Sequence, residues 1–409
     1  MTEPAGPSRL AVRVTPDAER QIRGGHPWVF DRSVTSVRPE GDAGDLAVVF
    51  DRQRRFTAIG LYDPNSPIRV RILHHGKPTP IDEDFWRRRV ADALAHRATL
   101  LDDPETDAFR WLHGENDRLP GLVADRYADT TVLKVYTPAW FPHLEAVVAA
   151  LQSELPAERV VLRLGRDAAR AGGPVGWSDG QALVGDLPDA PVEFLEGGVR
   201  FIADVVAGQK TGHFLDQRDN RRRVRQLAAG LDVLDVFSCT GGFAVNAAAG
   251  GARSVHRVDL SAAAIRSGRR HLELNSSNRS VARCRDHGTV GDAVEVMGDL
   301  LRRRERFGLV VVDPPSFASR ADQVDRALQS YARLAELASR LLEPGGVLLQ
   351  ASCSSRIDEH RLAVAVHAGA DAANRQAVEL RRTGHAVDHP VGFAEGAYLD
   401  AVLVRIERR

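Results

Sequence analysis

Five side chains at or near the ends of apolar runs have the types needed for ligand binding and catalysis. They are Asp235, Asp259, Asp292, Asp313 and Cys353. In a doubly wound parallel sheet, functional side chains gather at the carboxyl ends of the strands. Carboxylates at buried strand ends cost stability unless they serve a ligand. The pattern therefore predicts one site that contains four carboxylates and a thiol.

The stretch from Leu231 to Asn275 has the pattern of a nucleoside-binding βαβ unit. Its first apolar strand, Leu231 to Phe237, leads into Ser238-Cys-Thr-Gly-Gly-Phe243, a turn whose two glycines let a ligand approach the backbone. The second strand, Ser254 to Val258, ends in the carboxylate of Asp259. An acid at this position typically accepts hydrogen bonds from ribose hydroxyls.

The loop also indicates which nucleoside is bound. The dinucleotide fingerprint G-x-G-x-x-G is absent, so the turn lacks the spacing that seats a pyrophosphate. Asp235 stands before the small-residue loop, where its carboxylate could meet an ammonium group. S-adenosylmethionine carries both an amino-acid portion and a ribose, and it is the predicted cofactor. The alternative is a glycine turn that serves only packing.

The rest of the second half continues the alternation of an α/β sheet. Further strands are predicted at Val281 to Cys284, Gly308 to Asp313, Val347 to Ala351, Val378 to Arg382 and Tyr398 to Arg405. A turn is predicted at Glu343 to Gly346, before the fifth strand, because it contains Pro-Gly-Gly.

Asp313-Pro-Pro-Ser-Phe317 is the motif at the end of the fourth strand. Its two prolines stiffen a loop at the predicted site. In amine methyltransferases an aromatic residue directly after Asp/Asn-Pro-Pro stacks on the target base. Here Ser316 intervenes, which weakens that interpretation.

Cys353, after the fifth strand, suits another chemistry. Carbon 5 of cytosine is a poor nucleophile until a thiolate adds to carbon 6 and makes an enamine-like intermediate, which can then attack a methyl group. Asp313 would hold the ring N3. The alternative is that Cys353 is a small buried apolar residue.

Two other segments carry candidate binding groups. Lys210 to Asn220 precedes the nucleoside unit and could cover the cofactor with Phe214, Gln217 and Arg218. Arg23 to Phe30 mixes basic and aromatic residues, as in loops that hold single-stranded RNA. Its aromatic residues could equally be ordinary core. In the strand Ile68 to Leu73, Arg69 and Arg71 are predicted to face solvent, because they alternate with apolar residues.

Length and composition narrow the class. A chain of 409 residues should hold two or three domains, and its net charge of zero gives no global attraction to nucleic acid or membrane. Three widely spaced cysteines fit neither a disulfide framework nor a metal site. The amino terminus lacks a signal-peptide core and no apolar run could span a bilayer, so we expect a soluble cytoplasmic protein.

Nearly the whole chain resembles the bacterial large-subunit rRNA cytosine-5 methyltransferases. The resemblance rests on His26-Pro-Trp-Val-Phe30, Gly114-Glu-Asn-Asp-Arg-Leu-Pro-Gly121, Lys210-Thr-Gly-His-Phe-Leu-Asp-Gln-Arg218, Asp235-Val-Phe-Ser-Cys-Thr-Gly-Gly-Phe243, Asp313-Pro-Pro-Ser-Phe317, Ser352-Cys-Ser354, Asp388-His-Pro390 and Glu395-Gly-Ala-Tyr-Leu399. It implies an α/β fold: a PUA-like RNA-binding domain at 8–80, a central α+β domain at 83–195, and a Rossmann-like, seven-stranded methyltransferase domain at 196–409. It also implies that Cys353 is the nucleophile, with rRNA as partner, and neither membrane nor metal. A homodimer is a further expectation.

Together, the residues and the resemblance predict three groups of site residues. The catalytic pair is Cys353 and Asp313. The cofactor would be bound by Phe214, Gln217, Arg218, Asp235, Phe237, Ser238, Thr240, Gly241, Gly242, Asp259, Leu260, Asp292, Ala293, Asp313 and Pro314. The RNA would be bound by Lys210, Pro315, Phe317, His26 and Trp28.

Three residues depart from the pattern of the family. Cys239 stands where the family usually has a large residue, and Ser316 and Asp400 each stand where it often has Lys. These departures leave two alternatives to cytosine-5 methylation open. One is methylation of guanine or an exocyclic amine with Cys353 structural, and the other is a cofactor-binding assembly factor with little turnover.

Overall fold

The computed structural model describes residues 7–318 and 320–409, in which the strands form four sheets. Backbone contacts divide the chain into two units. The first runs to Phe194 and also contains Ile202–His213 and Val387–Phe393. The second contains Leu195–Phe201, Phe214–Ala386 and Ala394–Arg409.

The first unit contains a six-stranded and a five-stranded sheet. The six-stranded sheet has the order β2-β6-β5-β4-β1-β3 and is formed by β1 (Arg9–Val14), β2 (Trp28–Phe30), β3 (Val34–Arg38), β4 (Leu46–Phe50), β5 (Phe56–Tyr62) and β6 (Ile68–His75). The five-stranded sheet has the order β11-β10-β9-β8-β7 and is formed by β7 (Ala108–His113), β8 (Leu122–Tyr127), β9 (Thr130–Val135), β10 (Arg159–Leu164) and β11 (Ala182–Val184). The helices are α1 (Pro16–Arg23), α2 (Glu83–Ala95), α3 (Ala98–Leu101), α4 (Leu144–Glu154) and α5 (Arg166–Gly172).

The two sheets of the first unit share an apolar core on one face of the six-stranded sheet, and the other face of that sheet has a core of its own. Successive side chains of a strand point to opposite faces, so in β4 Ala47 and Val49 pack in the core of the six-stranded sheet. Leu46, on the other face, packs in the core shared with the five-stranded sheet, which also contains Trp111 and Trp140. Both faces of β4 and β5 are therefore buried, which explains why their sequences are almost continuously apolar.

The predicted exposure of Arg71 on β6 is wrong. Arg71 is buried, and its Nη1 donates to the carbonyl oxygen of Ile68 at 3.0 Å. Burial lowers the pKa of Arg71, while the negative charge of Asp63 opposes that shift. Alternation along a strand indicates solvent only when the second face is open, and the second face of this sheet is covered by the core shared with the five-stranded sheet.

A buried ion pair joins distant segments of the first unit. The two terminal nitrogens of Arg97 donate to the carboxylate of Asp117 at 2.9 and 2.6 Å. Arg97 Nη2 also donates to the carbonyl oxygen of Asp388 at 3.0 Å, and the Asp388 carboxylate accepts from the Arg110 backbone N–H at 2.8 Å. The Gly114–Gly121 motif thus has a structural task, because its Asp117 neutralises a buried cation.

We expect Asp117→Ala to lower the free energy of unfolding by about 3–5 kcal/mol, because it leaves the Arg97 guanidinium buried without its carboxylate. Glu273→Ala is the control, since it removes a solvent-exposed pair with Arg269 and should cost less than about 1 kcal/mol. Urea unfolding of both variants measures the difference. Equal losses would mean that the buried pair contributes no more than a surface pair.

The second unit contains a seven-stranded sheet with the order β16-β15-β14-β17-β18-β20-β19. In the chain, a hairpin of β12 (Val192–Glu196) and β13 (Val199–Ala203) comes before this sheet, and its residues are divided between the two units. The sheet is formed by β14 (Asp232–Val236), β15 (Ser254–Asp259), β16 (Arg285–Val290), β17 (Phe307–Val312), β18 (Leu342–Ser352), β19 (Arg375–Thr383) and β20 (Asp400–Arg408). The helices are α6 (Arg218–Leu227), α7 (Gly242–Ala249), α8 (Ala262–Leu274), α9 (Arg279–Arg283), α10 (Ala293–Arg302), α11 (Val324–Leu341) and α12 (Glu359–Ala372).

This sheet confirms the predicted seven-stranded α/β fold. The five strands β14 to β18 run parallel to one another. β20, which lies between β18 and β19, runs antiparallel to both of them. Its core lies between the sheet and helices α10, α11 and α12, with Val310, Met297 and Tyr331 among its fully buried side chains.

The predicted third strand is wrong. Val281 lies in α9, whose start is capped by the Asn278 side chain, and the third parallel strand follows it as β16. Five of the six β16 residues are exposed, because the strand is at the edge of the sheet. A strand with no buried face lacks the apolar signal on which the prediction depended.

The predicted turn at Glu343 to Gly346 is also wrong, because β18 includes these residues. The Pro-Gly-Gly signal marks an irregularity instead: Gly345 has a φ of +81°. The pairing of β17 with β18 shifts register at the same place, between Phe307 and Leu309.

Candidate functional site

The carboxyl ends of the parallel strands meet at one edge of the seven-stranded sheet. Val236 is paired with Val258 on one side and with Val312 on the other, and Val312 is paired with Gln350. The residues that follow these pairs are therefore neighbours. Asp313 continues this alignment, because its backbone N–H donates to the Val236 carbonyl oxygen at 3.3 Å.

The loop after β14 is a tight series of left-handed residues. Phe237, Cys239 and Gly241 have φ values of 61°, 46° and 78°. A Cβ on Gly241 would stand 3.0 Å from the Gly268 Cα, so the close approach of α8 requires glycine there. Non-glycine residues adopt such conformations at a cost and are found mostly where function requires them.

Asp259, at the end of β15, fixes this loop. One carboxylate oxygen accepts from the Cys239 backbone N–H at 2.9 Å, and the other accepts from the Ser261 N–H at 2.8 Å. Each carboxylate oxygen can accept a further hydrogen bond. Asp259 is partly exposed and therefore retains acceptor capacity toward a diol.

Asp235 is fully buried beneath the loop. Its Oδ2 accepts from the Ala244 N–H at 3.0 Å, while its Oδ1 is buried without a hydrogen-bond partner among the described residues. Burial, together with the negative charges of Asp313 and Asp259, raises the pKa of Asp235 to about 7. An unpaired buried acceptor is costly in a folded protein, and a cationic ligand group would compensate it.

A donor without a partner lies in the segment before α6. Gln217 is buried; its Oε1 accepts from Asn220, whereas its Nε2 has no partner among the described residues. Its neighbour Arg218 is buried as well. Phe214 is partly exposed, and its carbonyl oxygen accepts from Arg221 Nη1 at 2.8 Å.

A cavity of about 440 Å³ opens beside the loop after β14. Phe237, Asp292, Ala293 and Phe317 line it together with residues of α11. Asp292 caps α10 with Oδ1, which accepts from the Val294 and Glu295 N–H groups. These predicted site residues therefore surround one space.

The remaining predicted cofactor residues lie around the same loop. Ser238 is buried, and its hydroxyl has no partner among the described residues. Leu260, directly after β15, is 69% exposed, which is unusual for a leucine within a folded domain. Thr240 and Gly242 complete the turn, and the Thr240 carbonyl oxygen accepts from His271 Nδ1 at 2.8 Å.

The structure brings Cys353 and Asp313 together. The Cys353 thiol lies 3.8 Å from Asp313 Oδ1 and can donate to it. Both side chains are partly exposed, and Cys353 is not in a disulfide. The thiol and the carboxylate therefore meet at an open strand end.

The two serines of the Ser352-Cys-Ser354 motif position Cys353. Ser352 Oγ accepts from the Tyr331 hydroxyl at 2.9 Å, and Ser354 Oγ donates to the Ala318 carbonyl oxygen at 2.8 Å. The first bond ties the cysteine to α11 and the second ties it to the loop after β17. Such partners have no local signal, because α11 and β18 are distant in sequence.

The Asp313-Pro-Pro-Ser-Phe317 loop presents its middle to solvent. Pro314 is buried, while Pro315 and Ser316 are exposed. The Phe317 ring lies 5.1 Å from the Tyr331 ring, and Phe317 is partly exposed beside the cavity. The loop is therefore anchored at both ends and open between them.

The departures at Cys239 and Asp400 have distinct surroundings. Burial raises the pKa of Cys239, and the nearby carboxylates add to this effect. Asp400 begins β20 opposite Ser352. Burial, together with the charges of Glu359 and Asp358, raises its pKa to about 6. Acidic side chains therefore lie close together near the end of β18.

In the first unit, the aromatic loop is half buried. Trp28 Nε1 donates to Glu115 Oε1 at 2.9 Å, and the Trp28 ring lies 5.2 Å from the Phe393 ring and 5.8 Å from His26. Phe30 is 41% exposed. Sequence reasoning missed Glu115 and Phe393, because both contacts join residues far apart in the chain.

Lys210, also in the first unit, is exposed and has a φ of 56°. Its carbonyl oxygen accepts from Lys134 Nζ at 3.0 Å. Burial lowers the pKa of Lys134, and the positive charges of Arg163 and Lys210 lower it further. The two lysines therefore form a small cationic surface.

Comparison with known proteins assigns the family. A model described as S-adenosylmethionine-dependent methyltransferase matches residues 174–379, and a PUA-like domain model matches residues 12–75. A ribosomal RNA large subunit methyltransferase from Deinococcus radiodurans is 44% identical and covers 100% of both chains. The chain belongs to this methyltransferase family. Ribosomal RNA large subunit methyltransferase I of Shewanella denitrificans is 32% identical, over 97% of this chain and 99% of its own.

Solved structures show the same fold for this methyltransferase. An S-adenosylmethionine-dependent methyltransferase from Streptococcus mutans superposes with a TM-score of 0.79 at 20% identity, covering 97% of this chain and 99% of its own. SMU.776, a methyltransferase complexed with SAH, gives the same score and covers 100% of its own chain. The predicted cofactor, S-adenosylmethionine, is confirmed by the family.

The residues of this chain fit that cofactor. The buried acceptor of Asp235 suits its ammonium group, and the unpaired donor of Gln217 suits its carboxylate. The remaining acceptor capacity of Asp259 suits its ribose. No helix of the described residues is long and apolar enough to cross a membrane. Over residues 7–318 and 320–409, no group of three His, Cys, Asp or Glu side chains is placed to hold a metal ion.

Proposed function

We propose that this methyltransferase forms 5-methylcytosine in the RNA of the large ribosomal subunit, with Cys353 as nucleophile. The contact between the Cys353 thiol and the Asp313 carboxylate carries the proposal. Methylation of an exocyclic amine needs no thiol, whereas carbon 5 of cytosine must first be activated by a nucleophile. The names of the relatives support ribosomal RNA as the substrate, and such a substrate implies work in the cytoplasm.

In the proposed reaction, the thiolate of Cys353 forms a bond to carbon 6 of cytosine. The electrons of the C5–C6 double bond move to carbon 5, which becomes nucleophilic. When bound, S-adenosylmethionine supplies the methyl group that carbon 5 accepts. A base then removes the carbon 5 proton, the double bond re-forms, and the bond to Cys353 breaks to regenerate the thiolate.

Asp313 is proposed to handle the proton that this addition requires. Its Oδ1 lies within reach of the thiol, so the carboxylate can take that proton. The protonated carboxyl group can donate it to N3 of cytosine as electrons accumulate in the ring, and the carboxylate takes it back from N3 when the bond to Cys353 breaks. General acid–base transfer of this kind typically contributes about 10²–10⁴ in rate.

The cofactor site is proposed to comprise the residues predicted from the sequence. Asp235 would bind the ammonium group, Gln217 and Arg218 the carboxylate, and Asp259 the ribose hydroxyls. The adenine would lie in the cavity at Asp292 and Ala293, beside Leu260. The loop that follows β14 would contact the cofactor through Phe237, Ser238, Thr240, Gly241 and Gly242, with Phe214 and Pro314 at its margin.

The RNA is proposed to contact both units. Pro315 and Phe317 would meet the target base, whereas Lys210, His26 and Trp28 would hold other nucleotides. Residues 8–80, the proposed PUA-like RNA-binding domain, contain twelve Arg and Lys against eight Asp and Glu, although the whole chain is neutral. A local excess of positive charge supports RNA binding by this segment. The central α+β domain is proposed to comprise residues 83–195, and the methyltransferase domain residues 196–409.

Nucleoside analysis tests the function. Large-subunit RNA is incubated with isotope-labelled cofactor, digested and analysed by mass spectrometry. We expect the label in 5-methylcytosine. Label in guanosine derivatives or in an N-methylated base would refute cytosine-5 methylation and favour the alternative with a structural Cys353. Cofactor binding without label in any nucleoside would favour an assembly factor.

A trapped adduct tests the mechanism. RNA with 5-fluorocytosine at the target cannot release the substituent at carbon 5, so the bond between Cys353 and carbon 6 should persist. We expect a protein–RNA species that is stable to denaturant and maps to Cys353. Its absence with a substrate that is methylated when unfluorinated would contradict covalent catalysis.

A further inference from the structure

A row of polar residues on α11 lines one wall of the cavity in which the proposed function places the adenine. Arg326, Gln329, Ser330 and Arg333 follow a spacing of three and four residues, which places them on one face of the helix. The other face is buried in the core through residues such as Tyr331 and Leu334. The row is therefore an open helix surface beside the cavity and takes no part in the core.

The guanidinium of Arg326 has no ion-pair partner among the residues that the structure describes. None of the described carboxylates lies within 4 Å of its guanidinium, although Arg320, Arg333 and Arg340 all have such partners. Arg326 also lies near the start of α11, directly after the 3₁₀ turn Ala321–Gln323. A cation is disfavoured there, because the helix dipole places positive charge at the amino end. Both effects would be offset by a bound anion.

The cofactor does not supply that anion at this wall. The cavity is also lined by Asp292 and Ala293, where the proposed function places the adenine, which is neutral. The only carboxylate of the cofactor is assigned to Gln217 and Arg218. A phosphate of the RNA strand remains as the anion that would enter with the target base.

A second groove adjoins the cavity that the polar face of α11 lines. It continues from the first cavity at Val294 and Arg333, has a volume of about 550 Å³, and is lined by Glu295, Asp299 and Arg302. The two acids of its lining, Glu295 and Asp299, are matched by Arg302, which pairs with Asp299, and by Arg333. Its lining therefore has no net charge, and a phosphate is favoured more at the end of the first cavity that contains Arg326.

From this geometry we propose that Arg326 and Arg333, with the amide of Gln329, bind backbone phosphates of the nucleotides that flank the target cytosine. The inference rests on the proposed function, because it requires RNA at this site. Arginine suits the task, since its planar guanidinium can donate two parallel hydrogen bonds to one phosphate. Such contacts position the strand without reading its sequence.

The salt dependence of RNA affinity tests this proposal. Each phosphate contact on a single strand contributes a slope of about −0.7 to log K against log [salt], which corresponds to about fivefold in affinity between 1 M and 0.1 M salt. Arg326→Ala should therefore weaken binding of a fluorescent large-subunit RNA segment about fivefold at 0.1 M salt. Arg326→Ala with Arg333→Ala should weaken it about 25-fold, and the variants should converge with wild type at 1 M salt.

Arg340→Ala is the matched control. Arg340 lies on the same helix and, like Arg333, pairs with Glu336, but it does not line the cavity. Its replacement should leave the slope unchanged. Arg326→Lys should retain most of the slope, because the positive charge remains. Thermal unfolding verifies that every variant is folded.

Two outcomes would overturn the inference. An unchanged slope in the double variant would mean that no phosphate is bound there. A loss of affinity for S-adenosylhomocysteine with unchanged RNA affinity would assign the arginines to the cofactor. Failure of the proposed function is separate from both, because it appears in the identity of the methylated nucleoside, which the full-length wild type reports independently of these variants.

Discussion

Cys353→Ala is expected to reduce methyl transfer by at least about a thousandfold, because the activated intermediate at carbon 5 cannot form without a nucleophile. Cofactor affinity should stay within about twofold, since the groups assigned to the cofactor are at other strand ends. Single-turnover assays with labelled cofactor measure the rate, and titration calorimetry with S-adenosylhomocysteine measures the affinity.

Cys284→Ala is the matched control for this prediction. Cys284 lies between α9 and β16, outside the site, and burial raises the pKa of its thiol to about 11, so it is protonated at neutral pH. Its loss should leave the rate unchanged. If Cys353→Ala retained more than about a tenth of the wild-type rate, the thiol would be structural and an amine would become the preferred acceptor.

Asp235→Asn is expected to weaken cofactor binding by two or more orders of magnitude, because a buried carboxylate that meets an ammonium group contributes a strong, charge-assisted interaction. The neutral amide offers a single acceptor atom, and its NH₂ group would face the ammonium. Calorimetry with S-adenosylhomocysteine, which keeps the same ammonium group, measures the loss.

The same substitution is expected to stabilise the protein without ligand. The pKa of Asp235 is raised by burial from its ordinary value near 4 to about 7. The folded state therefore holds a proton that the unfolded state has released, and wild-type stability falls as the pH rises from about 4 to about 7. The full difference of about three pKa units corresponds to about 4 kcal/mol as an upper estimate.

Unfolding at several pH values tests this sign. At pH 8, Asp235→Asn should be more stable than wild type, because the amide resembles the protonated acid. At pH 4 the two proteins should be nearly equal. A variant that is less stable than wild type at pH 8 would show that the ionised carboxylate is already compensated in the free protein.

The sequence alone was sufficient to predict most of the second unit. The apolar runs before Asp235, Asp259 and Asp313 predicted parallel strands, and the rule that such strands present their carboxyl ends together predicted that these acids and Cys353 would be neighbours. The structure places Cys353 and Asp313 within reach of one another. This part was predictable because buried strands carry a strong local signal.

The edge of the sheet was not predictable in the same way. β16 is exposed on both faces, so its residues need not be apolar, and the nearest apolar residue, Val281, drew the prediction into α9. The predicted exposure of Arg71 was wrong for the opposite reason. Its strand alternates as a surface strand should, but the core shared with the five-stranded sheet covers the face that the pattern left open.

What the sequence determined by itself was therefore the order of most of the elements, the nucleoside loop and the set of side chains that follow the parallel strands. These follow from local patterns of burial and turn formation. Only the tertiary structure decided the contacts between distant segments. Tyr331 and Ala318 bind the serines beside Cys353, and Asp117 pairs with Arg97. It also left one oxygen of Asp235 buried without a partner among the described residues. Hydrogen bonds and burial between distant segments depend on how the sheets pack, and no local pattern in the chain encodes that packing.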